Sequence, residues 1–217
     1  MFRYALFDLD GTLTDPGEGI TKSIQYSFEW HGIPVEDRKE LEVYIGPPLR
    51  DEFMIRLKVD EEKADSLAAK FRERYNDVGW KENVLIPGVP EALKTLRRVG
   101  FRLALASSKP VTVATRVLRH FDLEQYFDAI CCSAPDGSHA LKKDIVARAL
   151  AELQVPEEEK PLAAMVGDRK HDVIGGKANG IATVGLLTGY GSREELTAAG
   201  ADFIAASPGD MVQWLLV

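Results

Sequence analysis

From residue 87 onward, strand-length apolar runs alternate with helix-patterned segments, and this alternation restricts the fold more than any other feature. Strands are expected at 101–106, 128–132, 162–166, 182–186 and 202–204, each short and rich in aliphatic residues. Helices near 90–99, 144–153, 171–179, 193–199 and 208–215 separate or follow them, and Pro110 opens one more at its first turn. Strand–helix–strand units wind right-handed and build a parallel sheet covered on both faces. A first run, Tyr4-Ala5-Leu6-Phe7-Asp8-Leu9-Asp10, also reads as a buried strand. Between it and the alternating part lie roughly 70 residues with helical spacing and no strand signal. There Ile20, Ile24 and Phe28 recur every four residues until Gly32-Ile33-Pro34 stops the helix. Gly46-Pro47-Pro48 precedes a short helix over 49–57, and Ala64, Leu67, Ala68, Phe71 and Tyr75 stripe another over 61–77. The expected class is therefore α/β. A doubly wound parallel-sheet core of residues 1–14 and 87–217 carries a helical-bundle insertion, 15–86, after its first strand. An insertion at the carboxyl end of a strand falls over the crevice where such sheets bind ligands, the position of a lid.

Charge and cysteine content exclude several partners. The 34 acidic and 27 basic residues give −7, of which −5 falls in residues 15–86. That sign opposes nucleic-acid polymers and anionic membranes. No apolar run approaches the ~20 residues of a membrane helix, and Asp8 and Asp10 interrupt the first apolar stretch, so it does not read as a secretory signal. The two cysteines, Cys131 and Cys132, are neighbours and offer no disulfide framework. A cytoplasmic location is expected. Oligomeric state leaves no signal in the sequence.

The residues able to do chemistry cluster at strand ends. Asp8 and Asp10 are two apart at the end of the first strand, so their carboxylates face one side. Gly11 permits a sharp turn and would leave its N–H open to an anion, with Thr12 following. Asp168 and Asp172 in Gly167-Asp168-Arg169-Lys170-His171-Asp172 fall on one face as a helix begins. Four converging carboxylates without a thiolate or histidine cluster call for a hard cation, and oxygen ligands select Mg²⁺. His171 lies between the two acids and is expected to face away from them. Ser107 and Ser108 stand at a strand end ahead of a helix, where a hydroxyl can hold a phosphate. Lys142, with Lys143 beside it, opens another helix, where the dipole disfavours a cation, so the pair is either functional or a solvated charge pair.

Taken in order, Asp8-Leu9-Asp10-Gly11-Thr12, Ser107, Lys142 and Gly167-Asp168 to Asp172 resemble the motif set of the haloacid dehalogenase superfamily. The resemblance spans essentially the whole chain, helical cap included. Phe7–Asp15, Gly46-Pro47-Pro48-Leu49 and the stretch from Val166 to Val173 resemble its phosphoglycolate phosphatase and 5′-nucleotidase branch. The resemblance implies a phosphatase for a small phosphorylated metabolite. In it Asp8 is the nucleophile forming an aspartyl-phosphate, and Asp10 is the general acid and base. Mg²⁺ is held by Asp8, the Asp10 backbone carbonyl and Asp168, with Asp172 in support. Ser107, Ser108, Lys142 and the Gly11 and Thr12 N–H groups hold the phosphate. Ser107 and Ser108 stand where relatives commonly carry Thr-Asn. The presence of Asp10 sets the chain apart from the superfamily's dehalogenases. A β-phosphoglucomutase-like phosphotransferase is the near alternative, and a phospho-aspartate signalling module is the alternative of another class. In the insertion, Arg50 is either a contact for a second anionic group of the substrate or a solvated first-turn residue. Tyr26, Trp30 and Trp80 are either base-stacking groups or cap core.

Overall fold

The computed structural model describes all 217 residues. Two compact units are present: Met1–Thr14 with Leu85–Val217, and Asp15–Val84. The first contains a six-stranded sheet of β1 (Tyr4–Phe7), β4 (Arg102–Pro110), β5 (Ala129–Ser133), β6 (Ala163–Gly167), β7 (Ala182–Leu186) and β8 (Phe203–Ala205). Its order is β5-β4-β1-β6-β7-β8, and every pairing is parallel. The sequence-order reversal on either side of β1 is the crevice where open α/β sheets place ligands. Two short strands, β2 (Thr14–Asp15) and β3 (Val84–Leu85), form a separate two-stranded ribbon. Neither has an apolar run long enough to announce it in the sequence.

Successive residues of the central strands pack toward opposite faces of the sheet. Tyr4 and Leu6, Ala104 and Ala106, and Ala163 and Met165 join one core cluster with Ile145, Val146, Ala149 and Leu150 of helix α6 (Lys142–Glu152). Ala5, Phe7, Leu103 and Leu105 alternate with them and are also buried, because helices cover both faces of the sheet. The covering helices are α4 (Val89–Arg98), α5 (Val111–His120), α6, α7 (Lys170–Ala178), α8 (Arg193–Ala199) and α9 (Pro208–Leu215). Each fully buried Leu or Phe contributes about 1.5–3 kcal/mol by leaving water. Phe7 is one of the largest such side chains and meets Phe127 edge to face at 6.2 Å.

The first strand ends at Phe7 and not at Asp10, and two further differences from the sequence expectation bear on the site. Strand β4 runs to Pro110 instead of ending at Ala106, since Ser107 and Pro110 still pair with Cys132 and Ser133. Polar Ser-Ser-Lys looks like a loop, but pairing with a neighbouring strand overrides that local preference. Pro110 consequently precedes α5 as its N-cap residue. Helix α6 begins at Lys142, two residues earlier than the apolar pattern signals, and so includes both lysines.

The Asp15–Val84 unit holds α1 (Gly17–Trp30), α2 (Leu49–Leu57) and α3 (Glu61–Asp77), with 3-10 turns over Arg38–Tyr44 and Gly79–Lys81. Its core contains Phe28, Tyr44 and Phe53, whose ring centroids lie 5.5–6.0 Å apart. Ser27 Oγ donates to Leu67 O at 2.8 Å, tying α1 to α3. Arg50 is engaged inside this unit, with Nε 2.5 Å from Asp65 and Nη2 3.0 Å from Glu61. Tyr26 Oη donates to Glu73 at 2.5 Å. Lys70 Nζ lies 3.9 Å over the ring of Trp30, which is 71% exposed, so this tryptophan is surface and not core. Trp80 is half-buried in the short turn before β3.

Candidate active site

Strand β1 is the central support of the site. It is paired on both sides, by β4 and by β6, and the chain passes from its end directly into Asp8. The Asp8 N–H donates to Val166 O at 2.9 Å, extending the ladder one residue beyond Phe7 and fixing the backbone of Asp8. Asp8 is 6% exposed, Asp168 0% and Asp172 1%. One carboxylate oxygen from each of these three lies within 4.8 Å of the others. Two come from the end of β6 and the start of α7, the strand neighbouring β1, which is why residues 160 positions apart meet.

Lys142 enters the cluster from the first residue of α6. Its Nζ lies 3.0 Å from Asp8 Oδ1 and 2.8 Å from Asp172 Oδ1, and it donates to Ala106 O at 3.0 Å. Burial opposes its charge, but Asp172 and Asp8 outweigh burial and hold the ammonium above its usual range. Lys143, one residue on, is exposed. Of the two adjacent lysines, Lys142 reaches the carboxylates.

The carboxylates are held by the backbone around them. Asp168 Oδ2 accepts from the N–H of Tyr190 at 2.7 Å, and Thr12 Oγ1 lies 3.4 Å from Asp168 Oδ1. Asp172 Oδ2 accepts from the N–H of Arg169 at 3.1 Å. Burial raises Asp168 well above the ordinary carboxylate range, and Asp172 adds to the effect. Burial also pushes Asp172 up, to about 6, against the attraction of Lys142. Asp10 is raised by burial too, opposed by Lys109, whose Nζ sits 2.6 Å from Asp10 Oδ2. His171 is half-buried, and burial lowers it.

Some expected phosphate contacts take other roles. The Gly11 N–H donates to Thr14 O at 2.7 Å and the Thr12 N–H donates to Leu9 O at 3.2 Å, so the turn itself consumes the donors expected to face an anion. Ser107 is buried, and its Oγ accepts from the N–H of Lys109 at 3.3 Å while keeping its own proton. Ser108 lies on the opposite side of the strand, and its hydroxyl donates to Ala140 O at 2.8 Å. Two contributors escaped the sequence reading. Lys109 carries no motif signal beyond its place after Ser107-Ser108. The N–H of Tyr190 belongs to a loop whose proximity to Asp168 only the fold reveals.

Four carboxylates, Asp8, Asp10, Asp168 and Asp172, face two ammonium groups, Lys109 and Lys142. Oδ1 of Asp8 and of Asp172 face the Lys142 ammonium, while Oδ1 of Asp10 is buried and accepts no hydrogen bond. An all-oxygen donor set whose carboxylates outnumber its ammonium groups fits a hard divalent cation.

A parallel sheet switching direction at β1, with an acid pair, a serine, a lysine and a second acid pair at its carboxyl edge, defines a phosphoryl-transfer enzyme. The model of the haloacid dehalogenase-like hydrolase family matches residues 5–186, and the chain belongs to that family. Within it the protein is a phosphatase. Its sequence is 41% identical to the 5′-nucleotidase of Pseudomonas aeruginosa over 89% of this chain and 86% of that one. It is also 41% identical to the tyrosine-protein kinase PtkA of Mycobacterium tuberculosis, over 87% of this chain and 63% of that protein. The crystal structure of a predicted phosphatase from Clostridium acetobutylicum superposes with a TM-score of 0.94 at 40% identity, covering 100% of this chain and 99% of that one.

Proposed function

We propose that the protein hydrolyses small phosphate monoesters through an aspartyl-phosphate on Asp8, with Mg²⁺ as the cofactor. The observation that carries this reading is the Lys142 ammonium 3.0 Å from the Asp8 carboxylate, in a cluster that also contains Asp168 and Asp172. In the first step Asp8 attacks phosphorus, the bond from phosphorus to the ester oxygen breaks, and Asp10 gives its proton to the departing alkoxide. In the second, Asp10 takes a proton from water, whose oxygen attacks phosphorus. The Asp8–phosphoryl bond breaks and inorganic phosphate leaves. Lys142 offsets the repulsion between the Asp8 carboxylate and an incoming dianion, and the Ser107 hydroxyl would donate to a phosphoryl oxygen. Asp8, the Asp10 carbonyl and Asp168 would hold Mg²⁺, with Asp172 orienting the set. The ion supplies charge neutralisation at the transferring phosphoryl group.

The substrate class is a small phosphorylated metabolite. The name of the Pseudomonas relative favours a nucleoside 5′-monophosphate, and 2-phosphoglycolate and sugar phosphates are its competitors. No helix is long and apolar enough to cross a membrane, and two free buried cysteines suit a reducing cytoplasm. Phosphate release from p-nitrophenyl phosphate, AMP, 2-phosphoglycolate, sugar phosphates and phosphotyrosine tests the reading. Activity abolished by EDTA, restored by Mg²⁺ and lost in Asp8→Asn supports it. Full activity in Asp8→Asn overturns it.

The likeness to a protein named a tyrosine kinase supports a second reading, in which a hydroxyl other than water accepts the phosphoryl group from Asp8. A β-phosphoglucomutase-like reaction belongs to the same scheme. Transfer to a tyrosine peptide or sugar phosphate without net phosphate release distinguishes it from hydrolysis.

A further inference from the structure

Lys109 is a buried lysine that neither the motif set nor the hydrolytic scheme uses. It stands on the extended end of β4, where pairing with β5 shifts register between Ser107 and Pro110. Irregularities of this kind occur beside active sites because they re-aim a side chain. Pro110 restricts the residue before it to an extended backbone, so the direction of the Lys109 side chain is set by its own chain neighbour. Positions two apart share a face. Ser107 and Lys109 are accordingly both buried, while Ser108 turns the other way to Ala140. The Lys109 ammonium ends 2.6 Å from Asp10 Oδ2, with side-chain exposures of 5% and 13%. The other carboxyl oxygen of Asp10, Oδ1, is buried and accepts no hydrogen bond. The two oxygens are therefore unequal: one is held and one is open.

We propose that Lys109 is a positioning residue that fixes the Asp10 carboxyl group by Oδ2, leaving Oδ1 to pass the proton to and from the leaving-group oxygen. This rests on the hydrolytic reading above, in which Asp10 is the general acid. An isolated carboxyl group at the end of a short side chain turns about its terminal torsion, which has no sharp staggered wells. A buried ammonium held against Oδ2 restricts that freedom, and proton transfer depends on such alignment.

The consequence differs between substrates. An alkyl leaving group departs as a strong base and needs its proton delivered. A nitrophenolate is weakly basic and departs with little help. Steady-state kinetics on p-nitrophenyl phosphate and on the best alkyl phosphate of the panel above, in the Mg²⁺-loaded enzyme, measures this. For Lys109→Met we expect kcat on the alkyl ester to fall about 100-fold, on the aryl ester less than about tenfold, and KM to change little. Lys109→Arg is expected to recover the alkyl rate to within about tenfold of wild type. If Lys109 acts only through Asp10, adding Lys109→Met to Asp10→Asn costs nothing further. Equal losses on both esters, or a further loss in the Asp10→Asn background, overturns the proposal. Should Lys109→Met show no cooperative melt, Lys109→Leu, which likewise has no donor for Asp10, carries the same comparison. Asp8→Asn is measured in parallel: activity retained there refutes the hydrolytic reading itself, whereas Asp8→Asn inactive with Lys109→Met at wild-type rates refutes only the role of Lys109.

Discussion

A β-carbon added to Gly11 would lie 2.2 Å from Oδ2 of Asp168, closer than any two such atoms can approach. Gly11 also has φ +80°, a conformation that costs an L-residue about 1–2 kcal/mol. The turn after Asp8 and the acid at the end of β6 are thus fitted to one another across the centre of the sheet.

Gly11→Ala should consequently do more than strain a loop. Gly100 has a similar backbone, φ +94°, with nothing within 4 Å of an added β-carbon, so Gly100→Ala serves as its control. Gly100→Ala should lose stability of the order of 1–2 kcal/mol, read from denaturant midpoints, and Gly11→Ala should lose more because of the overlap with Asp168. Only Gly11→Ala should also weaken the rise in melting temperature on adding Mg²⁺ and reduce turnover by more than about tenfold. Wild-type response to Mg²⁺ in Gly11→Ala would show that Asp168 tolerates displacement.

The two adjacent lysines should behave very differently. Lys142 reaches Asp8 and Asp172, whereas Lys143 is exposed. Lys142→Met should lower kcat by about 10²-fold or more, the range seen for removing one group that stabilises developing charge. Lys143→Met should stay within about twofold. A comparable loss in both would mean that the exposed lysine also approaches substrate.

In EDTA, the melting temperature should fall as pH rises from about 5 to about 7.5. Burial raises Asp168 and Asp172 in the folded state, Asp172 to about 6, and unfolding returns both to the ordinary carboxylate range. Between the two values the folded chain binds more protons, so acidification stabilises it, and that stabilisation is lost as pH climbs through the folded value. Differential scanning fluorimetry across this window, in wild type and Asp172→Asn, checks the sign. The variant should show the shallower slope, and identical slopes would exclude Asp172 as a source.

Neither cysteine should react with iodoacetamide in the folded protein near pH 8. Burial raises the Cys131 thiol, and burial with the nearby Asp8 charge pushes Cys132 up to about 12. At that value only about one Cys132 in 10⁴ is thiolate at pH 8. Mass spectrometry should find two added groups after denaturation and none before it. Rapid labelling of the native chain would reveal local opening at β5.

How far the sequence anticipates this architecture depends on where the deciding interactions lie. The β7 strand and helices α8 and α9 could be read to the residue, because apolar runs bounded by Gly, Ser and Pro are local signals. The α/β class with a helical insertion followed from the same patterning. The end of β4 did not, since Ser107-Ser108-Lys109 joins a strand through pairing with β5, a relationship between distant segments. For the same reason Lys109 passed unnoticed beside Asp10, 99 residues away, as did the N–H of Tyr190 on Asp168. The internal bonds of the Gly11 and Thr12 N–H groups are not legible either, because a loop sequence does not say which carbonyls its own turn will satisfy.

The central place of β1 bears on the order in which the molecule would come apart. With β4 on one side and β6 on the other, the peptide groups leading to Asp8 are shielded from solvent by two complete ladders and by helices on both faces. Segments of this kind exchange their amide hydrogens only through opening of the whole core, whereas peripheral strands such as the three-residue β8 open in smaller excursions. Deuterium uptake at Ala5–Phe7 should then track global unfolding. Asp8 sits on the last part of the chain to yield, so gradual fraying at the sheet's edges would leave its geometry untouched.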